Sequence, residues 1–600
     1  MDGFVEDTLE QQTCYVEYEK SSIIVYYGMV KLNIIEENAR AILEEQKQEE
    51  QFTAIIVSCR SLSYYEGKKF KAVVPQVSTQ TSSNYYVQVV VKVLAAAIAA
   101  FFHIVVGIAL AYSAILLPQL EQSHDTTKDI FITATEGSWI ASILVIVTPG
   151  AAIIAGFIMD AIGRLNMLKL AAIPCILGWV LIATATNVPM LLCGRVLTGF
   201  GSAWATSPAI VYITEIAKAD LRGSLISMAP AFASLGMVMV YLEGWFLNWR
   251  LVAWLTNIYT VISVTMIMFI PESPAWLVSK GRIEQARKSL EWINRYQPQP
   301  EHKSESFAEM QLAYLQKEDM LKKEQDAKLL GKGGMTRLQL FFRPTGYKPF
   351  LILTGVFFFQ QFSGIYITLF YAVTFFKDVG STINPYLASV FIGTVRFVMS
   401  MANTWLMKRF RRRNLITVSA AGMAVCMGIS GYFTNKIHEG ETSYSWVPVV
   451  MLLLYVVASM VGLLTIPWTM TAELFPLEIR GVAHSIAYGI ANLLMFASIQ
   501  SYYTLCDTFG GSSGIQYFFA VVSLGGLLYS IVFLPETHKK KLKEIETYFL
   551  NNTMYLNFDC KKELKKDMEH RKPIVKNSRL NLSDKLQVNG HSEKLILTKA

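Results

Sequence analysis

The chain contains twelve apolar runs, each of a length that crosses a lipid bilayer as a helix. Such a helix needs about 20 consecutive residues that are mostly apolar, and it must satisfy its own backbone hydrogen bonds because the hydrocarbon core holds no water. The runs occupy residues 88–118, 137–159, 166–186, 189–213, 224–246, 250–270, 349–377, 385–407, 414–434, 446–470, 481–503 and 515–534. The sequence therefore predicts an all-α membrane protein with twelve transmembrane helices.

Composition agrees with a membrane protein. Hydrophobic residues make up 52% of the chain and charged residues only 17%, unlike a soluble globular protein. The seven cysteines are scattered and form no CxxC pair, which favours neither a disulfide framework nor a metal site. The net charge of +8 is explained by the cations that membrane proteins carry on the cytoplasmic side. We expect no nucleic-acid partner, no metal and no cofactor.

Basic residues occur in alternate loops. The loops after the second, fourth, sixth, eighth and tenth runs contain cations, such as Arg164 after the second and KRFRRR at 408–413 after the eighth, while the other loops are poor in them. Loops rich in Lys and Arg remain cytoplasmic, so both termini are predicted to be cytoplasmic. No cleavable signal peptide is recognisable, and the first run is expected to direct insertion.

Two phrases of the sequence occur twice. TEIAKADLRG at 214–223 follows the fourth run, and AELFPLEIRG at 472–481 follows the tenth. PESP at 271–274 follows the sixth run in the same way that PETH at 535–538 follows the twelfth. This duplication predicts two related six-helix halves with a substrate site between them near the bilayer midplane, as in many secondary transporters.

The predicted organisation has five parts. They are a cytoplasmic N-terminal tail with a helix around 32–50, the first half, a cytoplasmic linker of short helices, the second half and a charged cytoplasmic C-terminal tail, at residues 1–87, 88–271, 272–346, 347–535 and 536–600.

Six motifs resemble the sugar-porter signatures of the major facilitator superfamily. They are GRVLTGFG at 194–201, YITEIAKADLRG at 212–223, PESPAWLVSKGR at 271–282, QQFSGIYITLFY at 360–371, PWTMTAELFPLEIRG at 467–481 and PETHKKKLKEI at 535–545. Within that family the likeness is greatest to insect facilitated trehalose and glucose transporters. The resemblance implies facilitated diffusion of a sugar through the plasma membrane by alternating access, with a functional monomer.

Polar side chains in three runs are the candidate sugar ligands. Gln360 and Gln361 are costly in mid-membrane unless they face a cavity or a partner, and their amides can both donate to and accept from sugar hydroxyls. On a continuous helix Gln360, Gly364, Thr368 and Tyr371 would share one face. An interhelical hydrogen bond or simple packing is the alternative for each candidate. The predicted binding residues are Gln360, Gln361, Tyr366, Tyr371, Trp468 and, from the resemblance, Asn492.

Three positions depart from the family pattern and leave the identity of the sugar open. Tyr366 stands where the family motif QQxSGIN ends in asparagine, Pro230 lies near the expected glutamine of the fifth run, and Leu493 replaces a tryptophan.

Charged residues at the cytoplasmic helix ends form a candidate latch. Carboxylates and guanidinium groups in a partly desolvated interface make strong, often bidentate pairs, which would hold the halves together on the inside when the outside is open. Ordinary interfacial charges are the alternative. The predicted network comprises Arg164, Glu215, Arg222, Glu272, Arg282, Arg412, Glu473 and Arg480.

The first run decides between modes of energy coupling. Residues 88–118 contain no carboxylate, which favours a uniporter over a proton-coupled symporter, and His103 is expected to be a hydrogen-bonded helix histidine. A transporter-like sensor with little flux is a second hypothesis, motivated by the missing polar positions and the long N-terminal tail. No nucleophile-base constellation or phosphate loop is recognisable, so we do not expect an enzyme.

Overall fold

A computed structural model describes residues 14–19, 22–27, 30–34, 79–121, 130–217, 219–295, 306–330, 341–441, 444–476, 479–538, 540 and 542–551. Twelve of its helices are long and apolar enough to cross a membrane, which confirms the prediction of a twelve-helix membrane protein. These helices, called spans one to twelve, are Val90–Glu121, Ala134–Ile162, Arg164–Ala183, Val188–Ile216, Leu221–Phe246, Trp249–Ile267, Pro344–Phe370, Pro385–Arg409, Arg412–His438, Val447–Thr471, Arg480–Gln500 and Ser512–Phe533.

Spans seven and ten are each interrupted by a four-residue turn. Span seven consists of Pro344–Phe362 and Ile367–Phe370, and Gly364 in the break has a φ of 92°, which only glycine adopts readily. A Cβ at this position would lie 2.5 Å from the Phe519 ring. The prediction that Gln360 and Tyr371 share one face of a continuous helix is therefore wrong.

The break in span ten separates Val447–Val461 from Ile466–Glu473. Pro467 lies in the first turn of the second helix, a position where its missing N–H costs nothing. The break itself is the turn at 462–465 that precedes the proline. Shorter interruptions occur in two other spans. The helix that enters span one begins at Thr79, and the pieces are Thr79–Phe101, His103–Ala111 and Ser113–Glu121. Span five is divided into Ala219–Ile226 and Met228–Phe246.

Spans one and five cross at backbone distance. A Cβ on Gly107 would lie 1.9 Å from the carbonyl oxygen of Ala233, and a Cβ on Gly236 would lie 2.1 Å from that of Ile104. Glycines at such crossings let helices approach closely in a membrane, where packing rather than water exclusion drives association. This contact holds span five in place beside the centre of the molecule.

Short helices lie outside the spans. Pro274–Ser279, Ile283–Ile293 and Phe307–Leu330 follow span six and share a small apolar core. The Trp276 indole donates to the Asp160 carbonyl at 3.0 Å, which attaches this group to span two. Ala372–Asp378, Tyr502–Phe509 and Leu542–Asn551 follow spans seven, eleven and twelve.

The N-terminal residues Met1–Ser83 form a separate unit. Its described part is an antiparallel sheet of Cys14–Glu19, Ser22–Tyr27 and Val30–Ile34 in that order, with Val25 opposite both Val16 and Leu32. β-branched and aromatic residues in CYVEYE and SIIVYY favour strands. The predicted helix around 32–50 is wrong at its start, which is strand, and residues 35–50 lie outside the described residues.

Candidate functional site

One side of the bundle, called the basic face, carries two equivalent ion pairs. Arg164 at the start of span three donates Nη2 to Glu215 Oε1 at 3.0 Å and Nε to both carboxylate oxygens at 3.2 Å. Arg412 at the start of span nine donates Nη2 to Glu473 Oε1 at 3.3 Å. Each pair joins two spans of the same half. In this structure these pairs stabilise each half internally and do not cross between the halves.

The duplicated Pro-Glu phrases cap two helices. Glu272 accepts from the backbone N–H groups of Arg164 at 3.1 Å and Leu165 at 3.0 Å. Glu536 accepts equivalently from Arg412 at 3.1 Å and Arg413 at 3.3 Å. A carboxylate at a helix N-terminus satisfies free N–H groups and interacts favourably with the helix dipole. Glu536 was not among the predicted residues, although the repeated phrase pointed to it.

Three arginines of the predicted network contact no carboxylate in the described part of the chain. Arg222 is exposed and makes no hydrogen bond or ion pair there. Arg480 donates to the Phe475 carbonyl at 3.3 Å, and the Arg282 guanidinium lies 5.5 Å from the centre of the Trp276 ring. The structure therefore brings together only part of the network.

The face opposite the basic face is closed by hydrogen bonds between the halves. Ser113 of span one donates to the Phe370 carbonyl of span seven at 2.9 Å, and Tyr241 of span five donates to the Leu369 carbonyl at 2.9 Å. Ser142 of span two donates to Gln500 of span eleven at 2.6 Å. We call these contacts the closed gate.

Tyr371 belongs to the gate rather than to the polar centre. Its hydroxyl donates to the Ile499 carbonyl at 3.2 Å, and its ring stacks on Tyr502 with the centroids 4.4 Å apart. Tyr502 in turn contacts Asp378 Oδ2 at 3.4 Å, and burial raises the pKa of the Asp378 carboxyl. The Tyr371 hydroxyl, predicted to bind sugar, is therefore occupied in this structure.

The two adjacent glutamines have different environments. Gln360 donates Nε2 to the carbonyls of Leu463 and Leu464, both at 2.8 Å, and these carbonyls lie in the break of span ten. Its Oε1 accepts from Gln361 Nε2 at 3.1 Å. Gln361 Oε1 is buried and has no hydrogen-bond partner among the described residues. Gln360 is thus committed to the fold, while Gln361 retains an open acceptor.

Aromatic and polar residues surround the two breaks. The Trp468 ring lies 4.9 Å from Phe357 and 5.7 Å from Tyr488 between centroids, and its side chain lies near the Tyr366 hydroxyl. Asn492 donates to the Tyr488 carbonyl at 2.8 Å. We define the central cluster as Trp468, Tyr488 and Asn492, which these contacts join, together with Tyr366 beside Trp468 and Arg396, whose charge interacts with Tyr366.

Two members of the central cluster were missed by sequence reasoning. Arg396 lies within the electrostatic range of Tyr366, and its signal was a lone cation in the middle of an apolar run. Tyr488 had no signal, because an aromatic residue in a transmembrane helix is usually a packing residue.

Small hydroxyls line the interface between spans five and eight. The Oγ atoms of Ser234 and Ser400 are 3.1 Å apart, and Thr404 donates to Ser227 Oγ at 2.6 Å. This interface joins the halves from mid-span to the basic face.

Comparison with known proteins identifies the family. A family profile described as "Sugar (and other) transporter" matches residues 95–549. The chain belongs to the sugar transporter family. Its resemblance to the sugar porters of the major facilitator superfamily is thereby confirmed.

Relatives of this sugar transporter family member include two insect proteins. The facilitated trehalose transporter Tret1-2 homolog of Drosophila sechellia is 34% identical over 458 residues, which cover 76% of this chain and 90% of the relative. The facilitated trehalose transporter Tret1 of Polypedilum vanderplanki is 32% identical over 464 residues, which cover 76% and 87%.

Solved structures share the fold of this sugar transporter family member. The inward-open xylose transporter XylE from E. coli superposes with a TM-score of 0.57 at 21% identity, covering 77% of this chain and 99% of that one. The proton:xylose symporter XylE bound to 6-bromo-6-deoxy-D-glucose has a TM-score of 0.53 at 21% identity, with 78% and 99% covered.

The hydrogen bonds of the two glutamines predict different losses of thermal stability for substitutions at the two positions. Gln360→Leu leaves two buried carbonyls of span ten unpaired, at a cost of about 1–3 kcal/mol for each buried unsatisfied group, and should lower the melting temperature of the purified protein. Gln361→Leu leaves only one buried acceptor unpaired, the Gln360 Oε1 atom to which Gln361 donates, and should lower that temperature by less. Equal losses in both variants, measured by gel filtration after heating, would contradict this assignment.

Proposed function

We propose that the chain is a facilitative transporter that moves a sugar such as trehalose or glucose down its gradient by alternating access. The observation that carries the proposal is the alignment with a relative named facilitated trehalose transporter over 90% of that relative's length. The central cluster supports it. Aromatic rings suit the apolar face of a sugar, while the free acceptor of Gln361 and the side chains of Tyr366 and Asn492 suit its hydroxyls.

The orientation follows from the cations of the basic face. Arg164, Arg409 and Arg412 lie there, and loops rich in Lys and Arg stay in the cytoplasm. The termini and the linker at 272–346 are then cytoplasmic. We also propose that the protein lies in the plasma membrane and that the monomer is the functional unit. With this orientation the closed gate faces outward, so the structure represents an inward-facing state.

The duplicated phrase supplies the inner latch in the opposite state. Among the described residues Arg222 has no partner, and Arg480 donates only to the Phe475 carbonyl. Closure of the basic face would bring these arginines to carboxylates of the other half and convert them into charge-assisted pairs. Both arginines can therefore form these pairs when the basic face closes.

Arg222→Ala should slow uptake because it removes an interaction made only in the outward-facing state. A loss of about 1 kcal/mol for a partly exposed pair corresponds to roughly a fivefold shift in the balance of states. Lys280→Ala, which removes an exposed cation in the turn after the linker helix Pro274–Ser279, is the matched control. Unchanged uptake in both Arg222→Ala and Arg480→Ala would refute the latch.

Saturable uptake tests the transport proposal directly. Oocytes that express the chain should accumulate radiolabelled trehalose or glucose up to equilibrium, and Gln361→Ala should reduce uptake about tenfold at low sugar concentration, the effect of one hydrogen bond worth about 1.4 kcal/mol. Gln285→Ala, an exposed glutamine of the linker helices, should have no effect at matched surface expression. Saturable binding without flux would instead support a sugar sensor.

Proton coupling is a second candidate mechanism that one observation favours. Glu243 of span five accepts from the Tyr259 hydroxyl at 2.5 Å, and its other oxygen is buried without a partner among the described residues. A carboxylate so placed could carry a proton. In span one the buried titratable groups are Lys92 and His103, and the His103 Nδ1 is occupied by the Ala100 carbonyl at 3.2 Å.

An imposed proton gradient separates the two mechanisms. A uniporter should take up sugar at the same rate with an acidic or a neutral external medium, and Glu243→Gln should retain flux and reach the same equilibrium level. Acid-stimulated accumulation above the external sugar concentration, abolished by Glu243→Gln, would establish symport.

A further inference from the structure

Arg396 lies in the middle of span eight. Arginine keeps its charge in proteins, and a cation at this depth is costly and marks a functional site. Its helix neighbours Ile392, Ser400 and Asn403 recur at spacings of three and four, so they share its face. Ser400 contacts Ser234 of span five at 3.1 Å. Arg396 therefore faces the junction between the two halves.

The surroundings of Arg396 are polar but uncharged. Its charge acts on the phenol groups of Tyr241 in span five and Tyr366 in span seven. The Tyr241 hydroxyl is already committed to the Leu369 carbonyl, and Tyr366 contacts Trp468. In the part of the chain that the structure describes, no carboxylate pairs with Arg396, and its Nε is buried without a hydrogen-bond partner.

Arg195 shows what a structural arginine looks like in the same bundle. It is fully buried in span four. Its Nη1 donates to the Ala109 carbonyl at 2.7 Å and its Nε to the Ile140 carbonyl at 3.0 Å, so it links spans one and two to span four. Arg195 Nη2 also lacks a partner, but its two other bonds fix it in the fold, whereas Arg396 makes no such bond to any described residue. A purely structural role therefore leaves the position of Arg396 unexplained.

We infer that Arg396 is a specificity-determining residue that binds the carboxylate of an acidic sugar, a hexuronate. The inference rests on the proposed transport function and names the class of its substrate. Arg396 is half-buried with its Nε enclosed. A partly desolvated cation without a counterion is unfavourable, and the planar guanidinium matches a carboxylate in two parallel hydrogen bonds. A neutral sugar of the same size offers hydroxyls but no compensating charge.

The single charge of Arg396 favours a carboxylate over a phosphate ester. A phosphomonoester carries about 1.5 to 2 negative charges near neutral pH, which one guanidinium compensates only in part. A hexuronate carries one negative charge and leaves the occupied site neutral. Its ring remains available to Trp468 and its hydroxyls to Gln361 and Asn492, so the predicted sugar ligands keep their roles.

Membrane potential provides a signature of this substrate class. Each hexuronate that enters carries one negative charge, so a potential that is negative inside opposes its uptake, and depolarisation should increase it. Uptake of glucose carries no net charge. A contact that merely stabilises the fold would not produce this difference between two substrates in the same cells.

The test compares radiolabelled glucuronate and glucose in oocytes that express the wild type, Arg396→Gln or Arg396→Lys. We expect Arg396→Gln to reduce glucuronate uptake at least tenfold while glucose uptake is kept or increased, and Arg396→Lys to retain part of the glucuronate uptake. Arg409→Gln, an exposed arginine at the end of the same helix, is the control and should change neither.

Three results would overturn the inference. If the wild type takes up glucose but glucuronate is neither taken up nor competes with glucose, the acidic substrate is excluded. The proposed transport function then still holds. Equal loss of both substrates in Arg396→Gln indicates a structural residue. If neither sugar is taken up, the proposed transport function is refuted. Thermal stabilisation of the purified protein by glucuronate then tests the inference. Stabilisation of the wild type that is lost in Arg396→Gln supports the inference, and no stabilisation of the wild type refutes it.

Discussion

The structure depends on the requirement that every backbone polar group inside a membrane has a hydrogen-bond partner. Spans seven and ten are interrupted by turns at 363–366 and 462–465. The freed carbonyls of Leu463 and Leu464 are satisfied by the Gln360 amide. One side chain thus permits irregular backbone at mid-membrane, and the polar centre of the molecule is built around that irregularity.

The central cluster is unevenly divided between the halves. Tyr366, Arg396, Trp468, Tyr488 and Asn492 all come from spans of the second half, and the first half adds the nearby phenol of Tyr241. The basic face, by contrast, is almost symmetric, because each half repeats one ion pair and one glutamate cap. Duplication preserved the elements that hold each half together, while the polar centre is largely the property of one half.

Sequence reasoning predicted the features that depend on local chemistry. Hydropathy gave twelve spans because a bilayer imposes the same length on each of them, and the repeated phrases predicted the two halves. It failed where a single backbone torsion matters. Gly364 turns the chain, so Tyr371 packs on Tyr502 in the gate instead of extending the face of Gln360. The sequence also could not show that Arg396 has no carboxylate partner among the described residues, because that depends on which side chains the neighbouring spans place beside it.

The hydroxyl pairs between spans five and eight bear on how the halves move. The linker helices are fixed to the first half by the Trp276 indole and the Glu272 cap. We therefore expect them to move with the first half as one body, so that the contacts that change are those between the halves. Ser234 with Ser400 and Thr404 with Ser227 are short side chains that can exchange hydrogen-bond partners over small displacements. An interface of short side chains that can exchange partners suits small sliding movements of one half over the other.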